Sequence, residues 1–259
     1  MIKMMIVGRR RGGITLRQTH HYMKNVHGAD VVQFIGKSPD LAPRRYIQNH
    51  VFENSFRVPV AFSGAMPDTL SNGRDFVTQV WFDHPEQAAA ALAAPFYLEH
   101  LQPDEDRFVD QASVVKMPVI EKIKLAADAN TANTADDSNK DNTKIASKLF
   151  VFYRAADGVS VDELLSATDD VWQTMLADAS SGIDRVTRNQ TLQRPGHAIS
   201  VDLIDEVWLK DDEAALALGE HWLALSDASL PSPLSQLLVS GSTFVLMAHE
   251  HVMFAGAAL

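Results

Sequence analysis

The chain of 259 residues reads as an α+β protein built from two tandem ferredoxin-like (βαββαβ) repeats packed sheet to sheet. Three observations predict this. Residues 126–147 are almost all small, polar or acidic, too poor in large apolar side chains to offset the entropy of ordering them, and read as a flexible linker. The segments on either side, 1–125 and 148–259, carry the same succession of apolar runs. Each first run also leads into the same helix-start signal.

The elements align one by one. Lys3–Arg10 and Lys148–Ala155 are short apolar runs ending in arginine and a glycine turn, Gly12-Gly13 in one repeat and Gly158 in the other. Thr15 and Ser160 then suit helix N-caps, and Gln18 and Glu163, three residues on, complete capping boxes. Helices are predicted over Thr15–Gln33 and Ser160–Ala179. Strand-like segments follow at Arg45–Phe52 and Arg185–Leu192, then at Phe76–Phe82 and from Ala198 through Ile204 toward Leu209. Alanine-rich helices come next, Pro85–Ala94 and Asp211–Ala224, and last are strands over Phe108–Ile120 and Phe244–Phe254. A sheet with helices on one face leaves the other face uncovered, and a second copy in the same chain supplies the missing layer.

Composition narrows the function. Apolar residues make up 46% and charged residues 22%, ordinary for a globular protein, and no apolar run approaches a membrane span. The opening residues are apolar for too short a stretch to make a secretory signal, so a cytoplasmic location is expected. The absence of cysteine excludes disulfides, thiolate metal sites and cysteine nucleophiles. A net charge of −10 argues against general nucleic-acid binding. That charge is uneven: residues 1–60 hold ten Lys/Arg against three Asp/Glu, and residues 148–259 hold six against sixteen. A basic half beside an acidic half predicts either that the two attract each other or that the basic half faces an anionic ligand.

Arg9-Arg10-Arg11-Gly12-Gly13, the helix from Thr15 through Tyr22 to His27-Gly28, Arg44-Arg45-Tyr46-Ile47-Gln48-Asn49-His50 and Phe108-Val109-Asp110 occur in an order that resembles the EthD-domain family, within the dimeric α+β barrel superfamily. The resemblance is good over residues 1–120, and over 148–259 mainly the architecture survives. It implies a pseudo-dimeric α+β barrel. By the same resemblance the activity falls among decarboxylases, dehydratases and cyclases of aromatic or polyketide-like compounds, cofactor-free monooxygenases, and members with no known activity. The fold alone does not choose among them.

Comparing the repeats sharpens the choice of residues. His27 lies opposite Trp172, Tyr22 opposite Ala167, His20 opposite Leu165, His50 opposite Gln190 and Gln48 opposite Arg188. The first repeat thus keeps titratable groups that the second lacks, and the active pocket is expected there. His27 and His50 are the candidate catalytic residues, since imidazole titrates near neutrality. Strand alternation puts Tyr46, Gln48, His50 and Phe52 on one face, and Ile47, Asn49 and Val51 on the other. Tyr22, Tyr46, Gln48, Asn49, Trp81 and Tyr97 are the candidate substrate-binding residues, with Tyr97 and His100 placed for a lid. The competing readings are structural: His27 as a helix-terminal cation, the β-strand residues as an interface between repeats, and His84 or Asp83 as the cap of the helix at Pro85. His249-Glu250-His251 supplies two imidazoles on one side of a strand without a third ligand nearby, so no metal is expected. Arg9–Arg11, Arg44 and Arg45 would hold a substrate carboxylate by bidentate pairing, or else form a solvated basic turn facing the acidic half.

The function expected is a cofactor-independent lyase that decarboxylates, dehydrates or cyclises a small aromatic or polyketide-like compound. The alternatives are a cofactor-free monooxygenase of a phenol and a non-catalytic ligand-binding or accessory protein. A homodimer of the tandem chain is compatible with the pattern, and no nucleic-acid or membrane partner is expected.

Overall fold

The computed structural model describes residues 1–55, 73–126, 145–192, 201–225, 234–239 and 243–256. The chain divides into two compact units, one of residues 1–51, 73–118 and 250–259 and the other of 52–72 and 119–249. Strands β4 (Val109–Ala126) and β8 (Phe244–Phe254) are each shared between the two.

In the first unit, β1 (Ile2–Arg10) and β2 (Arg45–Ser55) flank β3 (Phe76–Phe82), both antiparallel to it. The first half of β4 runs on the other side of β1, where the Arg9 N–H donates to Ser113 Oγ at 2.8 Å. The spatial order 4-1-3-2 is the ferredoxin-like one. The connections are helical. The first is α1 (Leu16–Tyr22), a π turn at Met23–His27 and α2 (Gly28–Lys37). The second is α3 (Pro85–Leu92), a π turn at Tyr97–Leu101 and α4 (Gln102–Glu105). Met23, Phe76, Phe108 and Val109 form a buried cluster against which Ile6, Ile14, Tyr22 and Val114 pack.

The second unit repeats the plan: β5 (Ala146–Tyr153) and β6 (Ile183–Thr191) pair antiparallel with β7 (Leu203–Leu209), and α5 (Val161–Ala177) and α6 (Asp212–Leu225) connect them. β8 lies beside β5, and Val119–Ala126 of β4 pairs with β6. Its core is large and apolar, with Leu149, Val151, Leu164, Val186, Leu203 and Val207 packed around stacked Trp172 and Trp222.

Both capping boxes are present, Thr15 with Gln18 and Ser160 with Glu163. The repeat correspondence holds at atomic detail. Asn49 Nδ2 donates to Val77 O and Gln79 Oε1, and Asn189 Nδ2 donates to Ile204 O and Glu206 Oε1. Lys3 and Arg45 lie over Trp81 as Lys148 and Arg185 lie over Trp208. The boundaries of the polar segment shift: Ala126 still belongs to β4, and Ala146 and Ser147 already belong to β5. Its residues 127–144 lie outside the described ones, as do Ala198–Ser200 of the predicted seventh strand. Among the described residues no helix is long and apolar enough to cross a membrane.

Candidate active site

The π turn arranges the first group of side chains. In an α-helix, residues five apart point about 140° away from each other. A π turn instead closes an i→i+5 bond, here from the Gly28 N–H to the Met23 carbonyl. Tyr22 and His27, five apart, are thereby brought onto one carboxylate. Tyr22 donates its hydroxyl to Asp104 Oδ1 at 2.5 Å, and His27 Nδ1 lies 3.0 Å from Asp104 Oδ2. The His27 and Asp104 side chains are only 12% and 10% exposed, and Phe108 packs 5.0 Å from the imidazole and 5.4 Å from the phenol, ring centre to ring centre.

Electrostatics settle the protonation of this group. The His27 hydrogen bond holds the Asp104 carboxyl below the usual carboxylate range, with further help from Tyr22 and Arg107, against the opposing effect of burial. Burial first, and the bond to Asp104 second, push Tyr22 up, so the phenol keeps its proton. An ionised carboxylate only accepts, so His27 Nδ1 carries a proton toward Asp104 and a neutral His27 has its lone pair on Nε2. A carboxylate-oriented imidazole of this kind is equipped for proton transfer.

β2 builds a second row. Gln48 Nε2 donates to the Met23 carbonyl at 2.7 Å and to the Tyr46 hydroxyl, so Gln48 Oε1 is left as an acceptor for His50 Nε2 at 3.0 Å. That bond fixes the His50 tautomer with its proton on Nε2. His20 stacks on His50 at 4.5 Å, and His251 approaches it from β8 at 4.4 Å. His20 Nε2 lies 3.0 Å from the Asp75 carbonyl, and His251 Nδ1 lies 3.2 Å from Lys24 Nζ. Tyr46 is fully buried, and burial pushes its phenol far above the ordinary range.

Gly28 joins the two rows. A Cβ there would lie 2.7 Å from the Met23 carbonyl oxygen, 2.7 Å from Met253 Cε and 3.0 Å from Gln48 Nε2. Its φ of −62° is ordinary, so close approach explains the glycine. Gly28→Ala is expected to cost about 1–3 kcal/mol through overpacking. It should also push Gln48 away from Met23. Urea unfolding, together with the NMR signals of the His50 ring, checks both effects.

The structure brings Tyr22 together with His27, and Tyr46 and Gln48 together with His50; His27 and His50 have different hydrogen-bond partners. Asn49 and Trp81 share the opposite face of the sheet, since Asn49 pairs with Val77 and Arg45 with Trp81 across β2 and β3. Tyr97 donates to Glu105 Oε1 at 3.0 Å, and burial first, then the Glu105 charge and this bond, raise its phenol. Three of the arginines already have carboxylates within the first unit: Arg9 with Asp110, Arg10 with Asp75 and Arg44 with Asp83, at 2.7–2.9 Å. His84 caps α3, accepting the Gln87 N–H ahead of Pro85. His249 pairs with Asp212 and stacks on Phe52. Among the described residues no group of three or more His, Asp or Glu is placed to hold a metal. Asp104, Arg107, His20 and His251 complete the two rows; the sequence did not single out Asp104 or Arg107, and it marked His20 only as a group the second repeat lacks and His251 only as half of a candidate metal pair.

The matching position of the second unit is filled. Arg188, in place of Gln48, gives Nε to Asp205 Oδ1 at 3.0 Å and Nη1 to the Leu165 carbonyl at 2.9 Å, and also bonds Thr168. Asp205 Oδ2 accepts from Tyr153 at 2.9 Å and from Trp172, the counterpart of His27, at 2.7 Å. Arg188, Asp205, Thr168, Tyr153 and Trp172 are all fully buried.

Residues 11–112 match the EthD domain family. The matched segment falls short of half of the chain. It holds Tyr22, His27, Tyr46, Gln48, His50, Asp104 and Arg107, while His251 lies beyond it. No curated protein sequence matches the chain. Among solved structures, an anthrone oxidase-like protein is 11% identical with a TM-score of 0.54, covering 100% of this chain and 96% of its own. A candidate monooxygenase from Lactobacillus acidophilus is 10% identical with a TM-score of 0.51, covering 99% and 97%. A candidate chlorite dismutase is 8% identical with a TM-score of 0.53, covering 97% and 95%. At these identities the likeness shows the fold alone, an α+β one.

Proposed function

We propose that the protein is an enzyme of the cofactor-independent lyase kind, with His27 as its general base and Asp104 as the group that orients it. The observation that carries this reading is the His27–Asp104–Tyr22 arrangement, which gives a neutral His27 a lone pair on Nε2. Withdrawing a proton from a phenol, or from a carbon beside a carbonyl, is the step that decarboxylation, dehydration and cyclisation of aromatic or polyketide-like compounds share. His50, its Nε2–H held by Gln48, is the second acid–base group of this reading. The bulk of Phe108 and the phenol of Tyr22 suit an aromatic ligand.

The names of two similar structures, an anthrone oxidase-like protein and a candidate monooxygenase, favour a second reading. There the same base would deprotonate a phenol whose carbanion form reacts with molecular oxygen. One experiment separates the readings. The protein is incubated in air with a panel of hydroxylated aromatic acids and linear polyketide-like 1,3-dicarbonyls, and products are weighed by mass spectrometry. Loss of carbon dioxide or water is expected; gain of oxygen with oxygen uptake would select the second reading. His27→Gln is expected to slow turnover by about 10²-fold or more. Unchanged turnover in that variant would remove His27 from the chemistry, and no turnover of any compound would favour a binding protein.

A further inference from the structure

We propose that Arg107 is the anion clamp of this site, so that the substrate is a small carboxylate or a comparably charged acid. The inference rests on the reading of His27 as the base and deepens it. Arg107 stands at the dyad: its Nε lies 3.8 Å from Asp104 Oδ1, the oxygen that already accepts the Tyr22 hydroxyl. Both Asp104 oxygens are thus taken by shorter bonds, from Tyr22 and from His27. The Arg107 side chain is 72% exposed and interacts with the Tyr22 hydroxyl, which leaves the rest of its donor fork turned toward solvent at the site.

Contrast with neighbouring arginines makes the point. Arg9, Arg10 and Arg44 each hold a carboxylate at 2.7–2.9 Å, as arginines do when their task is to tie strands and turns together. Arg107 has a carboxylate nearby and does not close on it. Its planar fork of five donors matches a carboxylate bidentately, which a lysine at the same place would not do. An acid docked on that fork would set its ring beside Tyr22 and Ile14, the partly buried side chains packed on the Phe108 cluster. Its acidic position would then meet His27. The clamp also suits decarboxylation less than dehydration or cyclisation, because a carboxylate gripped by a guanidinium is stabilised against leaving.

Benzoate and benzamide, which share a ring and differ in charge, test the clamp without knowledge of the substrate. Binding is followed on the full-length protein by NMR of the His27 Cε1–H signal, in the wild type and in Arg107→Gln and Arg107→Lys, the signal being assigned by its loss in His27→Gln. Arg107 is exposed, so its substitutions leave the fold intact. The expected result is that benzoate shifts the His27 signal and that its Kd rises about tenfold in Arg107→Gln. Arg107→Lys should recover part of the affinity, and benzamide should bind weakly and equally to all three Arg107 forms. Added salt should weaken benzoate alone, because the guanidinium is exposed. The same benzoate Kd in wild type and Arg107→Gln overturns the clamp, as does benzamide binding as tightly as benzoate. Binding that needs Arg107 but leaves the His27 signal unmoved overturns its placement at the dyad. The role of His27 as base is judged separately, by turnover in His27→Gln, so the two ideas can fail independently.

Discussion

Asp205→Ala is expected to destabilise the second unit by about 3–5 kcal/mol, the usual cost of stranding a buried charge. Arg188 would lose its carboxylate while remaining fully buried, and Tyr153 and Trp172 would lose the acceptor of their O–H and N–H. The Asp205 charge is what keeps the Arg188 guanidinium above its ordinary pKa, against a desolvation that pulls it down. Urea unfolding followed by tryptophan fluorescence reads this unit directly, because Trp172 and Trp222 stack at 4.1 Å beside the network. Arg188→Met combined with Asp205→Leu should cost less than Asp205→Ala alone, since removing both charges leaves no ion uncompensated. A loss below about 1 kcal/mol for Asp205→Ala would mean that water reaches Arg188, contrary to its burial.

This network also bears on the proposal that the chemistry sits in the first repeat. Where the first unit has His20, Met23, His27 and Gln48, the second unit has Leu165, Thr168, Trp172 and Arg188. The indole and the guanidinium fill the space and meet on Asp205, so each polar group is satisfied by the protein itself. In the first unit the corresponding positions carry two imidazoles, a thioether and an amide, and a neutral His27 bonded to Asp104 through Nδ1 has its lone pair on Nε2. The loss of titratable groups from the second repeat was legible by alignment; the replacement network was not, because Asp205 lies on another strand.

The same distinction runs through the candidate site. Helix starts were legible because a capping box is local, as at Thr15 with Gln18 and Ser160 with Glu163. Strand faces were legible because alternation is local, and Tyr46, Gln48 and His50 do form one row. Tyr22 and His27 were individually visible, but helical spacing let them share a face only approximately. Only the π turn unites them, and its requirement for a glycine at 28 comes from contacts with Gln48 and Met253, distant in sequence. Asp104 was hidden more deeply. Within Gln102-Pro-Asp-Glu it reads as an acid in a helix's first turn, a favourable place for any carboxylate. Its partner His27 lies 77 residues away. His251 likewise looked like half of a metal pair, and became a neighbour of His50 only through the strand order that sets the end of β8 beside β2.

Asp104→Asn is expected to lower kcat by about 10²-fold, approaching the cost of removing the base itself, as when a histidine's orienting carboxylate becomes an amide. The shape is kept, and the amide oxygen can still accept from Tyr22. The other oxygen becomes an NH₂ facing His27 Nδ1, so the ring must turn Nδ1 into an acceptor and move its proton to Nε2. That places a proton where the proposed base needs its lone pair. KM should change far less than kcat, and ¹⁵N NMR of the imidazole should report the exchanged tautomer; retention of the wild-type tautomer with full turnover would sink the proposed role of Asp104. Stability supplies a second readout whose sign follows from linkage. The Asp104 carboxyl is lowered in the folded protein, so the unfolded chain takes up its proton first as pH falls. Its contribution is therefore complete above the unfolded value of about 4 and disappears as pH drops through the lower folded value. The amide variant lacks that acid limb. Wild type should exceed it in urea midpoint near neutrality, by a margin that narrows below about pH 4.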